Sequence, residues 1–196
     1  MTGFWKERTV EHIETVRALL DDEPTLKTID RVAEIIADAY KMGFKLLICG
    51  NGGSAADSQH IATELVSKFL FERMALDAEA LSVNTSILTA IGNDYTFDVV
   101  FARQVEAKGK KGDVLLAIST SGNSKNILEA IKMGKKIGMV TVGLSGSNDE
   151  SAIFKEADYC IGVKSSSTPR IQEVHILIGH MICEYIESNL FKKGKN

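Results

Sequence analysis

Residues 46–54 read LLICGNGGS, and residues 114–124 read VLLAISTSGNS. In both stretches a short apolar run, typical of a buried strand, leads into a glycine- and serine-rich loop and then into helical spacing. Such a loop suits a phosphate group, because glycines let the backbone approach, N–H groups and hydroxyls donate, and the helix N-terminus adds positive potential. Two such units in one short chain predict a phosphorylated small molecule as the ligand.

Around these two units, apolar runs alternate with helical patterns. Predicted strands cover residues 44–49, 78–82, 114–118, 139–144 and 159–163. Predicted helices cover residues 5–20, 25–40, 54–69, 86–91, 97–107, 125–136, 151–155 and 169–191. Short apolar strands between helices are typical of a parallel sheet covered on both faces. We therefore expect an α/β fold, a three-layer αβα sandwich with five parallel strands and extra N-terminal helices. The ligand should lie beyond the carboxyl ends of the strands, where both loops fall.

Length and composition narrow the possible classes of protein. A chain of 196 residues predicts a single domain over residues 1–196, in which the helices of about residues 1–42 either cover the sheet or contribute to subunit contacts. The net charge of −3 gives no basic surface for nucleic acid. We interpret the short basic tail, Lys192, Lys193 and Lys195, as a solvated helix end.

The cysteines and the apolar runs indicate the cellular compartment in which the protein is expected. Cys49, Cys160 and Cys183 form no CxxC pair, and their odd number fits no disulfide framework, so we expect buried thiols. The first residues lack the apolar core of a signal peptide, and no run approaches the roughly 20 apolar residues of a membrane span. We expect a cytoplasmic protein that does not contact a membrane.

The loops differ from the common nucleotide-binding motifs. Neither is a Walker motif, because no Lys-Ser/Thr pair follows the glycines, and neither is a GxGxxG fingerprint. The second loop supplies four hydroxyls within six residues: Ser119, Thr120, Ser121 and Ser124. A lysine-free, hydroxyl-rich loop suits a sugar phosphate at least as well as a nucleotide. The alternative is an ordinary strand–helix turn with N-capping serines.

Two pairs of residues are candidates for chemistry. His60 and Glu64 lie four residues apart in the helix after the first loop and share a face of it. Gln172 and His180 lie eight residues apart in the last helix, within about one quadrant of a common face. The alternative is that the histidines are structural and that the His–Glu pair is a surface pair. His175 and Glu173 compete for a role on the last helix.

Four motifs together resemble a known family. They are GNGGSAADSQHIATEL, GNDYTFD, GDVLLAISTSGNSKNIL and RIQEVHILIGHMICEYIE. In this order they are similar to a sugar isomerase (SIS) domain and, more closely, to the bacterial phosphoheptose isomerases. Those enzymes interconvert sedoheptulose 7-phosphate and D-glycero-D-manno-heptose 7-phosphate. The resemblance covers nearly the whole chain, including the N-terminal helices.

The resemblance implies roles for particular residues. Glu64 would be the general base and His180 the partner acid of an aldose–ketose isomerisation through an enediol or enediolate. The substrate would be held by Asn51, Gly52, Gly53, Ser54, Glu64, Asn93, Asp94, Ser119, Thr120, Ser121, Ser124 and Gln172. Zinc would be the metal cofactor, with His60, Glu64, Gln172 and His180 as ligands. No nucleotide cofactor is implied.

The resemblance also implies an assembly and a metabolic place. Family members are homotetramers with active sites at subunit junctions, so we expect a homo-oligomer. The product would enter nucleotide-activated heptose synthesis for lipopolysaccharide or other surface glycans.

Two rival interpretations stay open at this point. A related non-enzymatic SIS protein binds the bacterial replication initiator DnaA, but it lacks the Glu/His pair that this chain carries as Glu64 and His180. The other rival is an isomerase or sensor for a different phosphosugar, such as arabinose 5-phosphate. The chain is too short for an added DNA-binding domain, which disfavours a sensor. Sequence alone does not decide the length of the sugar.

Overall fold

The computed structural model describes residues 2–147 and 149–191. Its helices are α1 (Thr2–Leu20), α2 (Glu23–Lys41), α3 (Gly53–Val66), α4 (Thr85–Asp94), α5 (Val100–Lys108), α6 (Lys125–Ile137), α7 (Ala152–Glu156) and α8 (Thr168–Phe191). Its strands are β1 (Leu46–Gly50), β2 (Ala78–Ala80), β3 (Val114–Ser119), β4 (Val140–Gly146) and β5 (Tyr159–Val163), and a 3-10 turn covers Phe97–Val99. The basic tail, Lys192, Lys193 and Lys195, lies outside the described residues.

The strands form one sheet in the order β2-β1-β3-β4-β5, and every neighbouring pair is parallel. The predicted five-stranded parallel sheet is confirmed. The chain moves outward from β1 to β2 on one side and from β3 to β5 on the other, so the strand order reverses between β1 and β3. Ligands of open parallel sheets bind in the crevice beyond the strands at such a point. Gly50 is paired in register with Ile118, so the two Gly/Ser loops leave the sheet side by side.

Helices cover both faces of the sheet and divide the core in two. Leu46 and Ile48 of β1 belong to the core formed with α2, α3 and α8. Leu47 and Cys49 point to the opposite face and belong to the core formed with α5, α6 and α7. This alternation follows from the period of two along a strand, and burial on both faces explains why the strands read as continuous apolar runs.

Several predicted boundaries differ from the structure. The helix after the first loop ends at Val66, three residues before its predicted end, because Arg73 turns back and donates hydrogen bonds to the carbonyls of Glu64 and Leu65. The predicted helix over residues 97–107 begins as a 3-10 turn. The predicted strand over residues 78–82 is only three residues long.

The first helix packs loosely against the rest of the chain. Only Thr15 and Leu19 of α1 are buried. Its large exposed apolar side chains are those of Phe4, Trp5, Val10, Ile13 and Leu20. Within the described residues, none of the helices combines the length and the apolar character that crossing a membrane requires.

Candidate active site

Three of the predicted functional side chains meet between α3 and α8. The Nε2 atom of His60 lies 3.1 Å from Oε1 of Glu64 and 3.2 Å from Nε2 of His180. One ligand atom from each of the three residues lies within 4.8 Å of the other two. The His60 side chain is 48% exposed and that of Glu64 is 21% exposed, so the cluster is open to solvent on one side. We call these three residues the His/Glu/His cluster.

The packing of α3 on α8 sets the position of this cluster. A Cβ built on Gly53 would lie 2.5 Å from Nε2 of Gln172, so the first turn of α3 accepts the Gln172 side chain only because residue 53 is glycine. His60 lies seven residues after Gly53 on α3, and His180 lies eight residues after Gln172 on α8. These two histidines form the second contact between the helices. The two helices therefore run in the same direction and touch at matching heights, and His60 lies about 10 Å further along α3 than Gly53.

The predicted zinc set is thus only partly brought together. His60, Glu64 and His180 share one cluster, whereas Gln172 lies beside the first loop, two helical turns away. The eight-residue spacing predicted a common side of the helix for Gln172 and His180. It did not predict that each would meet a different part of α3.

The first loop is held by a reciprocal amide contact. The Asn51 side chain donates to Oδ1 of Asn126 at 2.9 Å, and the Asn126 side chain donates to Oδ1 of Asn51 at 2.8 Å. Asn126 lies in the first turn of α6, directly after the second loop, so this contact joins the two loops across the crevice. Ser54 is buried at the start of α3. Asn126 was not among the predicted site residues, although it lies within a quoted motif.

The second loop gathers its hydroxyls around Ser119. Its Oγ donates to Oγ of Ser124 at 3.0 Å and lies 3.5 Å from Oγ of Ser121. Gly122 has a φ of +67°, and a Cβ there would lie 2.4 Å from Oγ of Ser151 at the start of α7. The turn therefore needs glycine, both for its backbone conformation and to let α7 pack against it.

A polar cavity of about 290 Å³ adjoins this loop. Thr120 and Ser121 line it on one side. The opposite side is lined by residues that the sequence reasoning did not single out as ligands: Gly146, Ser147, Ser165, Ser166, Thr168 and Ile171. The run of serines over residues 165–167 was the visible signal for this side. Most of the lining groups are hydroxyls, which can donate hydrogen bonds to a phosphate or to sugar oxygens.

Asn93 and Asp94 lie on α4 and are not part of either loop. They are exposed at the end of α4, and the Asn93 amide donates to Oδ1 of Asp94 at 2.9 Å. Within residues 2–147 and 149–191, no hydrogen bond joins either of them to another predicted site residue. Their predicted role in holding the sugar stays a prediction.

The two competing candidates on α8 have structural partners. His175 is fully buried, and its Nε2 lies 3.1 Å from the carbonyl oxygen of Ser145. Burial lowers the pKa of His175 to about 4, although the hydrogen bond to Ser145 works in the opposite direction. Glu173 accepts a hydrogen bond from Nδ1 of His12 at 2.7 Å and also pairs with Arg170. These contacts tie α1 to the first two turns of α8.

Asp57 is a further titratable group near the cluster. It lies one turn before His60 on α3, and its Oδ2 is buried without a hydrogen-bond partner among the described residues. Burial raises the pKa of the Asp57 carboxyl, and the nearby His60 partly offsets this. Asp57 was not among the predicted site residues.

The donor set of the His/Glu/His cluster fits zinc. Two imidazoles and a carboxylate are ordinary zinc ligands, and in a tetrahedral site with bonds of roughly 2.0–2.1 Å the ligand atoms lie about 3.3 Å apart. The two short separations in the cluster, 3.2 Å and 3.1 Å, are close to that value. Without a metal, His60 Nε2 carries at most one hydrogen to share between the two neighbouring acceptors.

Comparisons with known proteins identify the family of this chain. The family model for the SIS domain matches residues 11–146. A phosphoheptose isomerase of Clostridium acetobutylicum is 51% identical over 191 residues, which cover 97% of each chain. The structure of a phosphoheptose isomerase from Francisella tularensis has a TM-score of 0.88 and 34% identity and covers 96% of this chain and 100% of that one. The structure of a phosphoheptose isomerase from Neisseria gonorrhoeae has a TM-score of 0.84 and 43% identity and covers 94% and 99%.

Proposed function

Because this chain belongs to the phosphoheptose isomerase family of SIS-domain proteins, we propose that it interconverts sedoheptulose 7-phosphate and D-glycero-D-manno-heptose 7-phosphate with Glu64 as base and His180 as acid. The observation that carries this proposal is the His/Glu/His cluster, in which the Glu64 carboxylate and the His180 imidazole lie within 4.8 Å of each other. A carboxylate and an imidazole at this separation can serve adjacent atoms of one small substrate.

The reaction needs two proton transfers. Glu64 takes a proton from C1 of the ketose, which leaves an enediol or enediolate across C1 and C2, and returns it to C2 to form the aldose. His180 moves a proton between the oxygens on C1 and C2, since an imidazole both donates and accepts near neutral pH. A correctly placed acid–base group contributes roughly 10²–10⁴-fold in rate.

The phosphate of the substrate binds at the second loop. The hydroxyls around Ser119 and the adjoining cavity support this assignment, because they offer several donors at the N-terminal end of α6. Asn51, Gly52, Gly53 and Gln172 line the sugar at the first loop. Asn93 and Asp94 would approach the sugar from α4.

Zinc is the metal that the cluster would hold, through His60, Glu64 and His180, with Gln172 as the fourth ligand only if its side chain leaves Gly53. When bound, zinc supplies a Lewis acid for the substrate oxygens. A Glu64 carboxylate that binds the metal tightly is a weaker free base, so the two roles of Glu64 compete.

Calorimetric titration of the metal-free protein with zinc tests this assignment. We expect one zinc per chain in the wild type and a loss of binding of at least tenfold in His60→Ala and in His180→Ala. His12→Ala, which removes a histidine outside the cluster, should bind zinc like the wild type. Full isomerase activity in protein shown by elemental analysis to hold no metal would remove zinc as a cofactor.

The active protein is a homo-oligomer, which we expect to be a tetramer. The exposed apolar side chains of α1 support a role for residues 1–42 in subunit contacts. The cluster is open to solvent and lies two helical turns from the loops of its own chain, which supports a site completed at a junction between copies. We place the protein in the cytoplasm, and its product in the synthesis of activated heptose for surface glycans.

A coupled assay with a panel of ketose phosphates, sedoheptulose 7-phosphate included, tests the proposed function. We expect the highest kcat/KM with the seven-carbon substrate. A higher value with a shorter sugar would change the substrate and keep the reaction class. Absence of isomerisation on the whole panel, together with capture of purified initiator DnaA, would overturn the assignment in favour of the non-enzymatic relative.

A further inference from the structure

Arg73 and Glu187 form the most buried ion pair among the described residues. Nε of Arg73 lies 3.0 Å from Oε1 of Glu187, and both side chains are 1% exposed. Arg73 belongs to the segment that follows α3, and Glu187 lies on α8, two turns after His180. The pair therefore connects the far ends of the two helices that carry the His/Glu/His cluster.

The guanidinium of Arg73 binds the end of α3. It donates to the carbonyl oxygens of Glu64 and Leu65, each at 2.7 Å, and to that of Ser67 at 3.2 Å. The last carbonyls of a helix have no partner within the helix, and a positive charge there is favourable. Arg73 thus holds the backbone of Glu64 itself.

The Glu187 carboxylate binds the segment that leaves α3. It accepts hydrogen bonds from the backbone N–H groups of Phe69 at 2.9 Å and of Leu70 at 2.7 Å. Burial alone would raise the pKa of Glu187, but these two N–H groups and Arg73 together lower it, so the side chain stays charged. The Phe69 ring lies 5.6 Å from the His180 ring, so Glu187 also places a wall of the cluster.

We propose that Arg73 and Glu187 are positioning residues for the isomerase, which hold Glu64 on α3 and His180 on α8 at the separation that the reaction needs. This rests on the proposed function of the cluster. Neither residue reaches the reacting atoms. Each acts through backbone groups that belong to Glu64 or Phe69 or lie within three residues of them.

A purely stabilising role is the weaker explanation. Removing two charges from water costs several kcal/mol for each ion, and replacing a buried ion pair with apolar residues is often neutral or stabilising. The particular feature of this pair is where its hydrogen bonds go. They converge on the end of α3 and on the Phe69 segment.

Steady-state kinetics of paired variants of the holoenzyme test this role. Arg73→Met combined with Glu187→Gln leaves no unpaired buried charge and keeps an acceptor for the Phe69 N–H group. We expect a folded protein whose kcat falls by about 10–100-fold while KM changes less than threefold, because a shift of about 1 Å at the reacting groups costs up to 10²-fold in rate. Arg73→Lys keeps the charge but loses most of the carbonyl contacts. Its kcat should lie between that of the wild type and that of the double variant.

Lys45→Met combined with Asp113→Asn supplies the matched control, because it also removes both charges of a buried ion pair. Lys45 pairs with the buried Asp113 at 2.7 Å. Both residues directly precede a strand, β1 and β3, so the pair lies at the amino ends of the strands, opposite the crevice. We expect a lower Tm and an unchanged kcat. An Arg73→Met, Glu187→Gln variant with wild-type kcat, or a control that loses kcat in proportion to its Tm, would overturn the positioning role. An inactive wild type would instead refute the proposed function.

Discussion

The side chain of Glu64 combines two possible duties, as proton acceptor and as metal ligand. Its neighbours within the cluster are two imidazoles, so its carboxylate is the only group there whose removal takes away a negative charge. Replacing it therefore separates the chemical step from binding of the phosphosugar, which we propose to depend on the two loops.

We expect Glu64→Gln to keep the affinity for sedoheptulose 7-phosphate within a few-fold and to lower kcat by roughly 10²–10⁴-fold, the usual contribution of an acid–base group. Equilibrium binding and single-turnover kinetics measure the two quantities. Thr63→Ala, at an exposed neighbouring position of α3, should match the wild type. Retained full turnover in Glu64→Gln would exclude this side chain as the base.

His175 gives the protein a pH-dependent stability separate from catalysis. Its pKa is about 4 in the folded chain, below the value of about 6.5 expected after unfolding. Between these values the unfolded chain binds a proton that the folded chain does not, so this contribution to stability is lost as the pH falls from 6.5 towards 4.

Comparison of the wild type with His175→Gln isolates this effect. Between pH 7 and pH 5 the wild type should lose about 2 kcal/mol more unfolding free energy than the variant, because a glutamine can still donate to Ser145 and does not titrate. Urea denaturation at the two pH values measures the difference. Equal losses in both proteins would show that His175 does not carry this pH dependence.

At the scale of elements, the parallel packing of α3 against α8 positions the residues of the site. Two points of this contact, Gly53 against Gln172 and His60 against His180, place the loop end and the cluster end of the site on one pair of helices. A small displacement of the Gln172 side chain at the loop end should then change how the sugar binds and leave the fold intact.

Gly53→Ala tests this arrangement. The new Cβ would lie 2.5 Å from the Gln172 amide, the end of a flexible side chain that can move aside. We expect a change of less than 1 kcal/mol in unfolding free energy and a fall of about tenfold in kcat/KM, the equivalent of about 1.4 kcal/mol. Gly3→Ala, where a Cβ meets nothing within 4 Å, is the control. Unchanged kinetics would show that Gln172 does not need its present position.

Helices and strands were predictable from the sequence where the pattern that indicates them lies within the segment itself. The apolar runs of β1 and β3 and the loops that follow them carry their own pattern, so the sheet and the crevice followed from the sequence. The end of α3 did not, because it depends on Arg73, nine residues after Glu64. Contacts between distant residues, such as Asn51 with Asn126 and Arg73 with Glu187, leave no periodicity to read.

At the scale of the whole molecule, the apolar side chains of α1 form a surface that the rest of the chain does not cover. Ile13 is 49% exposed and Trp5 is 66% exposed, and large exposed apolar patches mark interaction sites. A second copy of the chain is the partner that we propose for this surface, in line with an active homo-oligomer.

A charge placed on this surface should dissociate the assembly. We expect Ile13→Glu to lower the mass measured by light scattering from that of a tetramer to that of a smaller species, and to lower activity with it. Glu14→Gln, a neighbouring exposed position, should leave both unchanged. A wild type that is active as a monomer would refute the proposed assembly.

The paired amides of Asn51 and Asn126 offer a way to observe the site from within. Because each carboxamide satisfies the other, their NH2 protons should exchange slowly with solvent and give separate NMR signals in a spectrum otherwise crowded by surface amides. A sugar oxygen that competes for Asn51 must break this mutual contact. The signals of the two side-chain amides would then report occupancy of the crevice directly, without an assay of turnover.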